Sequence, residues 1–178
     1  MAIVLIVENG TGLHNANAYV SVEDCNTFNN ERPYATSWLA VGLEDKKRAI
    51  IMATRLLDEH IDWFGQSKKS HNLDLSSADR QALSWPRSGV SDSDGYTIDQ
   101  DSMPTWLLNA TSEFARFLAL EDRTLDPSTA GFSKIQLGSL QVEVDAEDRA
   151  GVIPRGVIHM VAQYGNIRYR GSAKLMRV

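Results

Sequence analysis

Asp92, Asp94, Asp99 and Asp101 crowd around Gly95 in the stretch SWPRSGVSDSDGYTIDQDS, residues 84–102. Carboxylates at that density are what a calcium loop uses. Aligned with Gly95 at the sharp turn of such a loop, Asp92, Asp94 and Asp101 take ligand positions, but Val90 stands where the first ligand belongs and the last is an Asp, shorter than the usual Glu. Without its first ligand the run reads as two exposed turns, Ser88-Gly89 and Asp94-Gly95. The run Gly10-Thr11-Gly12 begins like a dinucleotide fingerprint, yet Asn15 occupies the third glycine position and no helix opens directly behind it, so it reads as a surface turn. His14, His60, His71 and His159 are dispersed, with no pair at helical spacing to grip a metal. The adjacent acids Asp58 and Glu59 border Arg55 and His60 on a helical pattern, where ion pairing is the economical account. No phosphate loop and no nucleophile elbow occurs. The residues imply no enzyme, no cofactor and no bound metal.

Basic residues offer a different chemistry. Lys68 and Lys69, with Arg80 and Arg87, could meet phosphate, but a single-strand binder interleaves such cations with aromatics on a platform, and the aromatics here fall mostly at core positions of helices. The end of the chain, IRYRGSAKLMRV, residues 167–178, carries Arg168, Arg170, Lys174 and Arg177 without one acid, and intersperses Ile167, Tyr169, Leu175 and Met176. It is the most basic segment of an acidic chain, and a candidate for ordering on a partner.

These groups need elements to position them. Ile3–Val7 is a short β-branched run that predicts a strand, stopped by the turn chemistry of ENGTG. Ser21 can cap a helix whose first turn holds Glu23 and Asp24, with Val22, Cys25 and Phe28 on one face. The strongest helical pattern covers 43–64, with Ile50, Ala53, Leu57 and Ile61 inward. A second long helix, 104–120, starts at Pro104 with Ser102 as its cap and turns Leu107, Ala110, Phe114, Phe117 and Leu118 inward. Between them SSADRQAL suggests a short helix, and Trp85-Pro86-Arg87 suggests a clamp: Trp85 plugs the groove between the long helices and Arg87 reaches Asp58. Alternation at Ile135, Leu137, Leu140, Val142 and Val144 around Gly138-Ser139 predicts a hairpin near 133–144, and a last helix follows from Pro154 to Tyr164. The fold expected is mainly α: a small helical domain, 1–166, with two long helices, shorter ones and a minor β element, then a basic tail, 167–178.

Composition bounds these readings. At 178 residues and 43 % apolar the chain is one domain with a real core, and a net charge of −5 excludes a generic polyanion binder. One cysteine, Cys25, excludes an internal disulfide framework and suits synthesis in a reducing compartment. The opening apolar run is far shorter than a membrane span of about 20 residues, and no membrane role is expected.

The stretches VENGTGLHNANAYVSVEDCNTFNN, IIMATRLLDEHIDWFG, RQALSWPRSGVSDSDG and MPTWLLNATSEFARFLA stand in an order and spacing that resembles a group of tailed-phage proteins. That group is labelled DnaT-like single-stranded DNA-binding protein, and it looks like the head-tail connector, or head-completion, proteins. The resemblance covers about residues 5–120; its most specific pieces are Ala18-Tyr19-Val20-Ser21, Leu57-Asp58 and Trp85-Pro86-Arg87. It implies a structural virion protein at the head-tail junction, assembled in the host cytoplasm as a ring, commonly of twelve copies. Its partners would be further copies of itself, the portal protein, the next neck or tail protein and, in transit, double-stranded DNA. On that reading residues 167–178 dock on the portal or a neighbouring subunit, and Lys68 and Lys69 face the DNA channel. The competing implication is a single-stranded DNA-binding replication accessory.

Overall fold

The computed structural model describes residues 2–69, 80–125 and 151–168, together with the backbone of 134–137 and 140–143. In chain order the elements are α1 (Val22–Asn30), α2 (Thr36–Leu39), α3 (Leu43–His60), β1 (Ile61–Trp63), β2 (Gln66–Ser67), β3 (Arg87–Ser88), α4 (Thr105–Leu118), β4 (Lys134–Leu137), β5 (Leu140–Glu143), α5 (Arg155–Val161) and β6 (Gly165–Ile167).

The long helices α3 and α4 pack on each other, and α1 and α5 both lie against α4. Ile50, Ala53 and Leu57 of α3 meet Leu107, Ala110 and Phe114 of α4 in one core, which Val157 and Val161 of α5 extend. Of the inward positions expected, these six and Ile61 are buried and Leu118 packs partly buried against the core, whereas Phe117 does not join it. Ser21 caps α1 as expected, its hydroxyl accepting from Asp24 N–H. Cys25 faces α4, with its thiol on Ser112 O at 3.8 Å.

Several boundaries move. Helix α3 stops at His60, and Ile61–Trp63 becomes β1, antiparallel to β6 with Ile61 opposite Ile167 and Trp63 opposite Gly165. The β-branched and aromatic residues there suit a strand once a partner strand is present. Helix α4 has no side-chain cap: Pro104 holds the N-cap position and its carbonyl accepts from Leu107 and Leu108, so Ser102 does not perform the capping role expected of it. Helix α5 ends at Val161, short of Tyr164.

The N-terminal run forms no strand. A single parallel bridge joins Val7 to Ala18, and the Asn17 side chain accepts from Ile6 N–H and donates to Val4 O, doing locally what a neighbouring strand would do. The segment therefore fastens to its own chain, not to the hairpin. That hairpin is present as β4 and β5, with Leu137 opposite Leu140. Residues 76–79 of the suggested short helix lie outside the described residues, and Arg80–Leu83 is not helical. No helix among the described residues is long and apolar enough to cross a membrane.

Candidate functional site

The Trp-Pro-Arg step sits where α1's approach, the end of α3 and the 84–88 segment converge. Tyr19, wholly buried, is placed by its own N–H on the Thr54 hydroxyl of α3 at 3.3 Å. Its phenol donates to Asp58 Oδ1 at 2.5 Å and accepts the Trp85 N–H at 3.2 Å. Asp58 also accepts the Ser84 N–H on Oδ2 at 2.9 Å and the Trp63 indole N–H at 3.3 Å. One carboxylate thus gathers a helix, a strand and a loop. Burial pushes the Asp58 carboxyl upward, against the pull of its donors Tyr19, Ser84 and Trp63. Burial, then the adjacent carboxylate, pushes the Tyr19 phenol well above its ordinary value.

Trp85 fills the expected groove. It has no exposed surface and meets Trp106 of α4 edge-on at 5.2 Å and Trp63 edge-on at 5.9 Å, while Trp106 stacks on Tyr164 at 3.9 Å. The Trp85-Pro86 peptide is cis. Such large faces bring roughly 150–250 Å² of burial each, and the edge-on geometry suits their quadrupoles.

Arg87 does not pair with Asp58. Its Nε donates to Phe64 O at 2.7 Å, Nη2 to Gly65 O at 2.7 Å and Trp63 O at 3.2 Å, and Nη1 to Ser84 O at 3.1 Å. A planar fork with five N–H groups can serve several carbonyls at once, and the β1–β2 turn presents three of them. Asp58 already holds three donors, so the expected ion pair gives way to a backbone clamp.

Lys68 and Lys69 close a second knot that sequence reasoning missed. Glu8, 2 % exposed, accepts the N–H groups of Gly10 at 3.0 Å, Gly12 at 2.8 Å and Leu13 at 2.7 Å. The carbonyls of that loop then point at the lysines: Lys68 Nζ donates to Gly10 O at 2.8 Å and to Asp101, and Lys69 Nζ to Gly12 O at 2.6 Å. The Gly-rich turn is consequently an internal fastener. Its readable signal was an acid directly before Asn-Gly-x-Gly, since both glycines adopt positive φ (+97° and +73°) to turn their amides inward.

A third cluster was also missed. Glu113 on α4 accepts from Arg32 beyond α1 and from Arg116 at 2.7 Å, a carboxylate between two guanidiniums. The acidic run after Arg87 is a small hairpin: Ser91 bridges Thr97, and Asp92 Oδ1 accepts the N–H groups of Asp94 at 3.0 Å and Tyr96 at 2.8 Å. Among the described residues no three His, Cys, Asp or Glu side chains converge as a metal would require.

Of the proposed tail, Ile167 and Arg168 belong to the folded domain. Ile167 ends β6, and Arg168 donates its N–H to His60 O at 2.7 Å and its Nε to Asp62 at 2.6 Å. Tyr169, Arg170, Lys174, Leu175, Met176 and Arg177 lie outside the described residues.

Comparison with known proteins gives one family. The model described as "Putative DnaT-like ssDNA binding protein" matches residues 3–177. No curated protein and no solved structure matches the chain. With nearly its whole length matched, the chain belongs to this DnaT-like family.

Proposed function

We propose that the chain is a structural protein of a tailed-phage virion, a head-tail connector that assembles as a ring, joins the portal to the neck or tail and extends the DNA channel. The observation that carries this reading is where the cations go. Among the described residues Arg32, Lys47, Arg48, Lys68, Arg116, Arg123 and Arg168 are in ion pairs, and Lys69 and Arg87 are held by backbone carbonyls, while Arg55, Arg80 and Arg155 stand exposed outside these contacts. Charges engaged that way are less free to displace counterions from a nucleic acid. Among the described residues the exposed aromatics Tyr34, Phe64 and Tyr96 stand on three different turns and do not form the cation-and-ring platform of a strand binder.

A ring joins two different faces of each subunit. Exposed apolar side chains such as Tyr34, Leu39 and Leu43 supply material for one of them. A net charge of −5 suits a channel through which DNA must slide without being gripped. Further copies of the chain and the portal protein are the partners this reading pairs.

The alternative is a single-stranded DNA-binding replication accessory, favoured by the family's own description. Two measurements separate the readings: negative-stain microscopy of the purified protein with its portal, and oligonucleotide anisotropy across a salt series. Rings without salt-dependent binding support the connector. A monomer that binds single strands, with affinity falling steeply as salt rises, overturns it.

A further inference from the structure

An open trough runs along α3 on the side away from α1. It consists of two adjoining hollows of about 540 and 720 Å³ that share Met52 and Thr124 as walls. Met52, Leu56, Ile153 and Ile158 form an apolar floor at the β6 end. We propose that this trough is the seat of the chain's own C-terminal segment, residues 169–178.

Direction is the first argument. Because β6 is antiparallel to β1, and β1 continues α3, the chain leaving Ile167 heads back along α3. Arg168 has already begun that course: its N–H is on His60 O and its Nη1 reaches Glu59 O at 3.2 Å. Ile167 and Arg168 themselves line the near end of the trough.

Side-chain alternation is the second. Along 165–168 burial alternates, with Gly165 buried, Asn166 exposed, Ile167 half-buried and Arg168 exposed. Continued at the strand period of two, the inward positions are Tyr169, Gly171, Ala173 and Leu175, all apolar or small, and the outward ones include Arg170, Ser172 and Lys174.

Length agrees. Seven extended residues from 169 to 175 span about 23 Å, which is the rise of about fifteen helical residues, so Leu175 comes level with Asp45–Ala49 at the far end. The lining is mixed in charge, with Glu59, Glu121 and Asp122 beside Arg48 and Arg55, and Glu121 is paired with Arg123. Asp45 is already paired with Arg48. A segment tethered at the trough's mouth binds at high effective concentration, so modest contacts suffice. The seat does not depend on the connector reading.

The test uses the full chain carrying Leu175→p-benzoylphenylalanine, irradiated at low concentration and mapped by mass spectrometry. The expected adduct is within one chain, to residues 43–56 or 118–124. Adducts between chains show that a neighbour's segment occupies the trough and overturn the assignment, as do adducts elsewhere or none. Hydrogen exchange of the otherwise unaltered chain supplies a second reading. Amides of 170–176 should be protected, and reversing the exposed rim with Glu121→Lys and Asp122→Lys should lower that protection about fivefold, the factor two ordinary surface ion pairs supply. Unprotected amides in the unaltered chain overturn the proposal.

Discussion

Replacing Tyr19 by Phe removes one oxygen and leaves the ring in place, which isolates the hydrogen-bond junction from the packing around it. That oxygen donates to Asp58 at 2.5 Å and accepts the Trp85 N–H at 3.2 Å. A hydrogen bond to a charged group contributes about 1.5–3 kcal/mol, and a buried N–H left without an acceptor costs about 1–3 kcal/mol. Both losses fall on one network and do not add fully, so Tyr19→Phe should cost about 3 kcal/mol. In urea the midpoint falls with an unchanged slope; in a thermal scan the shift is about 6–12 °C for a domain of this size. In a double-mutant cycle with Asp58→Asn, the two changes should couple by at least about 1 kcal/mol. A loss below about 0.5 kcal/mol, the size of an ordinary surface substitution, would refute the idea that Asp58 gathers α3, β1 and the 84–88 segment through Tyr19.

Asp58 also sets a pH dependence. Burial raises its carboxyl above the ordinary 3.8 in the folded protein, so its contribution is full below that value and is lost as pH rises through the folded one. The stability of the wild type relative to Asp58→Asn should therefore decline from about pH 4 upward and then level, by chemical denaturation at each pH; a difference that grows with pH contradicts this. Burial pushes the Cys25 thiol up to about 12, so it should react with a disulfide reagent only after unfolding, at the rate set by global opening. Fast labelling in native buffer would place Cys25 elsewhere. Gly65→Ala should cost about 2 kcal/mol or more, because φ is +68° and a Cβ would stand 2.3 Å from Ser88 O. Gly156→Ala, inside α5 with open space around it, should instead stabilise by about 0.4–1 kcal/mol, both read from urea melts.

What could be read from residues alone follows the range of the interaction. The core faces of α3 and α4 were legible because periodicity is written within one element, and Ser21 could be recognised as a cap because it acts three residues away. Burial of Trp85 was legible from its apolar neighbour and the proline that follows. Its partners were not, since Trp106 and Tyr164 approach from α4 and the β6 end through tertiary packing. Charge was the poorest guide. Arg87 was expected to choose the acid Asp58, but the β1–β2 turn brings three carbonyls to its fork. Lys68 and Lys69 read as solvent-facing cations until Glu8 turned the Gly10 and Gly12 carbonyls toward them. The β1–β6 pair was hidden for the same reason: Ile61–Trp63 continues a helical pattern, and only a strand a hundred residues away converts it.

Native mass spectrometry of the protein mixed with its portal tests the connector account most directly. Assembly predicts one closed multiple of the 19.8 kDa chain bound to the portal, stable to added single-stranded oligonucleotide. A chain that stays monomeric beside the portal and shifts in mass by the oligonucleotide contradicts it.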